Sequence, residues 1–420
     1  MTPENSPHQQ DVGQLRLIAQ EWRSNWKPGL GAIIGGSLGY SIWQSVSSLF
    51  IIPLQHEFNW SRGDIAAANY AGLVTAFAAP FIGRLVDRVS AKPALVAGLV
   101  LVALGYFAMS LVNGNLSTYY VIYFLLHLCG MATTGITVTR IITGFFTRTR
   151  GTALAVARSM LGVATALLPM LLNAVIAGHG WRAGFVALGT LSLFVAMPAV
   201  YFLVPRATAT ISVSSMTSKV EPTQWRSLLS QPRVLIICLA SAINFAPVVA
   251  LLSQLQPIGI GYGLAPTAAT GGLAMLGVAV AFGALLSGLL VDRFWAPAVA
   301  FGLTVVAGLG CLVLVLSGNG LSPMTFYIAA FLIGIGQGAE IDVVAFMIAR
   351  YFGLRDYSTI YGMSVTCIAI AAALSVSLIG KAYDVFGNYD LAIMMCAAGL
   401  AIAAVLYLAM GRYPAPAERT

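Results

Sequence analysis

Charge is scarce in this sequence: only 9% of its 420 residues are Asp, Glu, Lys or Arg, where soluble domains carry roughly 25%. With 59% of the residues hydrophobic, a water-soluble core could not bury them all, so a soluble globular chain is excluded. Histidine is rare too. The four, at positions 8, 56, 127 and 179, are scattered and form no metal-ligand spacing. The five cysteines (129, 238, 311, 367 and 396) all fall in apolar stretches, and none is spaced like a disulfide framework or a zinc site. No nucleophile elbow and no phosphate-cradling glycine loop is present, which argues against an enzyme. No metal and no cofactor is implied. Residues 1–27 are polar and hold no short hydrophobic region with a cleavage site, so no signal peptide is expected and the first span inserts itself.

What fills the chain instead is apolar sequence. Mean hydropathy is +0.86, and runs of 18 or more apolar residues recur from Gly29 to Met410. Each such run can cross ~30 Å of hydrocarbon. The 43 glycines suit membrane helices that pack backbone against backbone. The expectation is an all-α membrane protein. Charge and Gly/Pro/Asn punctuation bound about twelve helices, near 29–53, 64–85, 93–112, 117–146, 151–177, 183–204, 234–257, 266–291, 297–317, 323–350, 358–380 and 389–410. The longest polar connection is Ser/Thr-rich and covers 205–233. The expected organisation is therefore a tail (1–28), a six-helix bundle (29–204), a linker (205–233), a second six-helix bundle (234–410) and a short tail (411–420).

Basic residues set the orientation. With both termini cytoplasmic, only Arg62, Arg182 and Lys381 fall outside and Arg140 and Arg158 lie within spans, leaving 17 of the 22 inside. That bias follows the positive-inside rule and places the chain in a plasma (inner) membrane. The net charge of +8 is then topology and contact with anionic lipid, and no nucleic-acid partner is implied.

One charged phrase is written twice. GRLVDRVSAK (83–92) and GLLVDRFW (288–295) share Gly-x-Leu-Val-Asp-Arg, 205 positions apart. A second pair, FFTRTRG (145–151) and YFGLRDY (351–357), repeats at 206 positions. Two matched pairs in register mean two copies of one six-helix unit in parallel orientation, giving two pseudo-symmetric bundles.

GRLVDRVSAK resembles the loop signature between spans two and three of the major facilitator superfamily, and the resemblance covers the whole chain. It implies two bundles around a central cavity that move substrate by alternating access. EFNWSRGDIAAA (57–68), FFTRTRGTALAV (145–156) and QLQPIGIGYGLAPTAA (254–269) resemble the organic-anion branch of monocarboxylate and oxalate–formate carriers. GAEIDVVAFMIARYFGLRDYSTIYG (338–362) is similar to a bacterial subgroup of that branch. By the family's architecture, Asp87 would meet the start of span eleven near Ser358, and Asp292 the start of span five near Arg150. A carboxylate against a helix N-terminus gains roughly 0.3–1 kcal/mol, so each would latch the cytoplasmic side; the alternative is that these residues only set topology. Gly83, Arg88, Gly288 and Arg293 belong to the same gating loops, with the two arginines pairing locally.

Polar groups inside the spans are expensive, at least ~2.5–3.5 kcal/mol for an ionisable side chain at midplane. Spans three, six, nine and twelve carry none in their interiors; spans one, four, seven and ten carry Gln44; His127 and Arg140; Asn244 and Gln254; and Gln337, Glu340 and Asp342. At 1.5 Å per residue, Arg140 and Arg158 each lie roughly 12 Å inside the cytoplasmic face and Glu340 lies ~18 Å inside. Arg140 can offer a bidentate fork to a carboxylate substrate, or be a structural partner of Glu340 or Asp342. Arg158 reads as a gate or carbonyl contact. Glu340 is the favoured proton carrier, and Asp342, about 200° around the helix from it, holds span ten to a neighbour or shares that role. His127 titrates in the useful range but sits in an apolar run. Gln44, Asn244, Gln337, Tyr40 and Tyr361 would give the cavity hydrogen bonds and aromatic surface, suited to a carboxylate with an apolar or aromatic body.

There are departures from the branch. Its members place charges in span eight and, for oxalate carriers, a Lys in span eleven; here 266–291 and 358–380 have no charged interior residue. Either the anion-binding charges have moved to the N-terminal half or the substrate is not a simple short carboxylate. The expected function is proton-coupled uptake of a small organic anion by a monomer. The competing readings are proton-driven efflux of a hydrophobic compound and a transporter-like sensor, for which the tails offer no signalling domain.

Overall fold

A computed structural model describes residues 7–147, 149–205, 231–291, 293–353 and 357–413, with all their side chains but those of 7–18, 79–80, 83–88, 136, 150–151, 155, 319, 339 and 358. Hydrocarbon offers a backbone no hydrogen-bond partners, so a chain this apolar satisfies its peptide groups within helices. Among the described residues the regular structure is helical throughout.

Span one is built in pieces: Pro7–Ser37, a 3₁₀ turn Tyr40–Ile42, Trp43–Val46 and Ser48–Phe58. The first piece begins well inside the stretch read from sequence as a tail. The break comes at Gly39, where any Cβ would stand 2.6 Å from the Thr133 hydroxyl, and that hydroxyl accepts the Tyr40 N–H at 2.9 Å. Span two is Arg62–Ala67 and Ala71–Val89 around a single 3₁₀ turn. Ser61 caps it in a capping box with Asp64. Span three is Ala91–Ser110, and span four is Leu116–Gly130 with Gly135–Phe145. Arg150–Thr190, the π-helical Leu191–Ala196 and Met197–Leu203 make spans five and six. The turn between those two is Gly180, with φ 82°. Ile176 lies 2.8 Å from where a Cβ of Gly184 would stand; in an unbroken helix eight residues would separate them by about 12 Å.

Spans seven to twelve are Pro232–Gly261, Pro266–Val291, Ala296–Ser317, Pro323–Phe352, Tyr357–Phe386 and Asp390–Leu408. Sequence punctuation placed a long connection after span seven. The helix instead continues through Pro257 to Gly261, held by the close fit of Gly259 against Ala269 and Phe326. Among the described residues nine helices are long and apolar enough to cross a membrane, one of them the 52-residue stretch that Gly180 folds into two spans. Spans one and two are cut into shorter pieces. The linker read over 205–233 lies almost wholly outside the described residues.

Both ends of the described chain lie on one face. Asn25 donates to the Phe145 carbonyl at one end, and Tyr351 donates to the Gly411 carbonyl at the other. We call this the terminal face and its opposite the far face. The principal contacts between the two six-helix halves run through span two with eleven, five with eight, and one with seven. Spans three, six, nine and twelve take no part in them, matching their lack of charged, amide or imidazole residues in the interior. Toward the far face these seams are tight: Ser377 donates to the Ala66 carbonyl at 3.2 Å, and Gly277 comes within 2.5 Å of Ala166 by its absent Cβ. Toward the terminal face, Gly288 and Gly362 have open space beside them.

Candidate functional site

Span ten sets the site. Gly334 and Gly338 lie four apart on one face, and a Cβ on Gly338 would collide with the Val280 carbonyl of span eight. Gly334 packs as tightly on Leu276 and Ala279. This small-residue contact fixes the rotation of the helix, and the rotation decides where its carboxylates go. Asp342 falls about 40° from Gly338 and Glu340 about 200° from it. Span eight packs on span five, so Asp342 meets Arg158 there: its carboxylate accepts a hydrogen bond from the Arg158 guanidinium in an ion pair that joins the two halves. The side chains remain 37% and 45% exposed, so the pair stands in the open space between the bundles. Tyr361 lies within electrostatic range of both charges, and its ring stacks on Tyr357 at 5.7 Å.

Glu340 turns the other way, into the C-terminal bundle. It is 4% exposed, with Asn244 of span seven and Tyr407 of span twelve as its neighbours. Among the described residues, neither carboxyl oxygen has a hydrogen-bond partner, nor do Asn244 Oδ1 and Gln337 Oε1. An unpartnered carboxylate there would be very costly.

In the N-terminal half, Gln44 is exposed at mid-span, next to Ser45, whose hydroxyl bonds that of Thr165 at 3.0 Å. Arg140 is half-buried, on the side of its helix away from the packed Ile141 and Ile142. Tyr40 is buried and its hydroxyl bonds His127 Nδ1 at 2.9 Å. Beside this pair, Trp43 donates to the Tyr123 hydroxyl at 3.0 Å, which donates to Asn69 at 2.7 Å. His127 thus belongs to a polar chain inside the N-terminal bundle, close to span two at Gly72. Of the loop residues, Arg293 is exposed. Gly83, Asp87 and Arg88 sit on the last turns of Ala71–Val89 with their side chains outside the described set, and Asp292 lies outside the described residues.

The far face is closed by a cluster that the sequence reading did not single out. Asp384 of span eleven accepts the backbone N–H groups of Arg62 at 3.0 Å and Gly63 at 2.7 Å. The Arg62 guanidinium lies 3.7 Å over the Tyr383 ring and donates to the Tyr389 hydroxyl at 2.7 Å.

This two-half architecture can be compared with known proteins. A family model described as Major Facilitator Superfamily matches residues 32–338. The chain belongs to that superfamily. It is accordingly a membrane transporter and not an enzyme. An uncharacterized MFS-type transporter, YcxA of Bacillus subtilis (strain 168), is 22% identical over 384 residues, covering 89% of this chain and 92% of that protein. Two solved structures share the fold at 14% identity. They are a D-xylose–proton symporter (TM-score 0.73, 94% of this chain and 99% of that one) and the nucleoside transporter NupG (0.72, 92% and 100%). A bacterial homolog of the human lysosomal transporter Spinster, in an inward-facing and unoccupied conformation, is similar at 16% identity and TM-score 0.69, with 94% and 99% covered. In this superfamily member the Arg158–Asp342 pair bridges the two six-helix halves. The sequence alone carried no signal for it, because the rotation of span ten is set by the contact of Gly334 and Gly338 with span eight.

Proposed function

We propose that this transporter takes up a small organic anion in symport with a proton, with both termini in the cytoplasm and the described conformation open to that side. What supports the orientation is the distribution of basic residues, and what supports the open side is the open space beside Gly288 and Gly362 near the terminal face, against the tight seams of the far face. The observation that carries the anion reading is the exposed ion pair of Arg158 with Asp342. It is a fixed cation between the halves, and the carboxylate already holding it supports a carboxylate as the group it accepts. A proton on Asp342 removes the competitor, and a substrate carboxylate takes its place on the guanidinium. One proton then enters with each anion. Arg140 is the second cationic contact, Gln44 and Tyr361 supply hydrogen bonds, and Gln337, Asn244 and Tyr40 shape the walls behind them. Because Glu340 lies off the vestibule, the coupling role favoured for it by sequence passes to Asp342, and His127 orients Tyr40.

Uptake of radiolabelled carboxylates into proteoliposomes, with and without an inward proton gradient, tests this. Gradient-driven accumulation is expected. Export of lipophilic compounds with no carboxylate uptake, and no effect of substituting either arginine, would install the efflux reading instead.

A further inference from the structure

We infer that Asp384 and Arg62 form a clasp that locks the far gate, and that releasing it is the step that opens the vestibule to that side. The two far seams are built differently. Spans five and eight meet by backbone packing, with Gly277 against Ala166 and a Cβ on Gly162 only 2.8 Å from Ala281. Their polar link is indirect: the Gln256 amide of span seven donates to Asn173 of span five at 3.2 Å and to Thr270 of span eight at 3.0 Å. Small residues in such contact suit a pivot, where surfaces roll without parting.

Spans two and eleven also pack closely, with a Cβ on Gly380 only 2.7 Å from the Arg62 carbonyl, but they add a set of discrete polar bonds. Asp384 reaches across to the first turn of span two and takes the Arg62 and Gly63 N–H groups on its two oxygens. Ser61 and Asp64 complete the cap of that turn, so its geometry is fixed before Asp384 arrives. The Arg62 side chain crosses in the reverse direction. Its guanidinium is 7% exposed as a residue, covered by Tyr383 and bonded to Gln55 at 3.2 Å and Tyr389. Tyr389 passes the chain on to Gln254 at 2.9 Å. Each half therefore inserts a charged group into the other, and neither can leave alone. Sets of bonds that are wholly made or wholly broken give a two-state gate, not a continuous one. Any conformation open to the far face must separate these spans and so break them all. The inference does not depend on the substrate being an anion.

Thiol accessibility tests it. Ser377 is fully buried in this seam. Ser377→Cys is placed in the full chain, in membrane vesicles, and labelled from the far side with a membrane-impermeant maleimide in the absence of substrate. The parent chain, with its five native cysteines, gives the background. Asp384→Asn and, separately, Tyr389→Phe should each raise the labelling rate, roughly tenfold for the former, because a clasp lost from the closed state shifts the population toward the open one. Tyr389→Phe keeps the test decisive if Asp384→Asn fails to reach the membrane. Labelling that stays at the Ser377→Cys rate in the variants that do insert would overturn the clasp, while leaving carboxylate uptake untouched as a separate question.

Discussion

Arg158 and Asp342 sit 184 positions apart in the chain, on different six-helix halves, and are joined by an ion pair across the space between them. Its exposure sets its strength. Pairs open to solvent contribute about 0.2–1 kcal/mol, whereas hydrogen bonds to charged groups in drier sites contribute about 1.5–3 kcal/mol. A substrate carboxylate that excludes water on binding can therefore displace Asp342, and a fully buried pair could not be exchanged so cheaply.

Substituting each partner separates the two roles. Asp342→Asn should leave Arg158 without its carboxylate, so the proton gradient no longer drives accumulation, while exchange of anion for anion persists. Arg158→Gln should lower both uptake and exchange by about a hundredfold, the loss of one charge-assisted contact. Vesicle uptake and counterflow measured side by side check both.

Arg140→Gln should abolish uptake with normal insertion, and Arg140→Lys should keep part of it, because an ammonium supplies the charge but not the planar fork. The comparison is made at matched protein levels in the membrane.

Glu340→Gln should keep gradient-driven uptake, since the side chain lies among Asn244 and Tyr407 inside one bundle. Accumulation that no longer follows the gradient in this variant, with exchange intact, would return the coupling role to Glu340.

On the last turn of Ser48–Phe58, past the apolar run that ends near residue 54, Glu57 accepts hydrogen bonds from the Trp181 indole and from Arg182. The indole bond, aided by the guanidinium, holds its carboxyl below the ordinary carboxylate range in spite of some desolvation. A group lowered on folding stabilises the folded state above its unfolded value and loses that contribution as pH falls through the folded one. Melting temperature should therefore drop on acidification below about pH 4.5, and Glu57→Gln should lower it at pH 7 and flatten that drop.

Gly338→Leu should cost about 1–3 kcal/mol or more through overpacking, because its Cβ has the Val280 carbonyl in its way. A lower melting temperature together with lost uptake is expected, since span ten would turn Asp342 away from Arg158.

The helical spans, and which of them meet across the two halves, were readable from apolar runs and polar positions, because a bilayer punishes any other arrangement. The 200° between Glu340 and Asp342 was readable as well. Which one reaches the vestibule was not, because that depends on the rotation Gly334 and Gly338 impose against span eight, and sequence periodicity carries no zero of angle. Arg62 and Asp384 escaped notice for another reason. Their contact links backbone N–H groups to a carboxylate 321 or more positions away, and no spacing rule describes that. The breaks at Gly39 and Gly180 follow from close approach and a positive φ, and both were hidden among 43 glycines.

The central claim is that fixed positive charge between the bundles binds the substrate. It is tested most directly by equilibrium binding of a panel of carboxylates, and of lipophilic cations, to the purified transporter and to its Arg158→Gln and Arg140→Gln variants. Saturable carboxylate binding that weakens at least about tenfold in the variants is the predicted result. Binding of cations alone, or carboxylate binding equal in all three proteins, would contradict it.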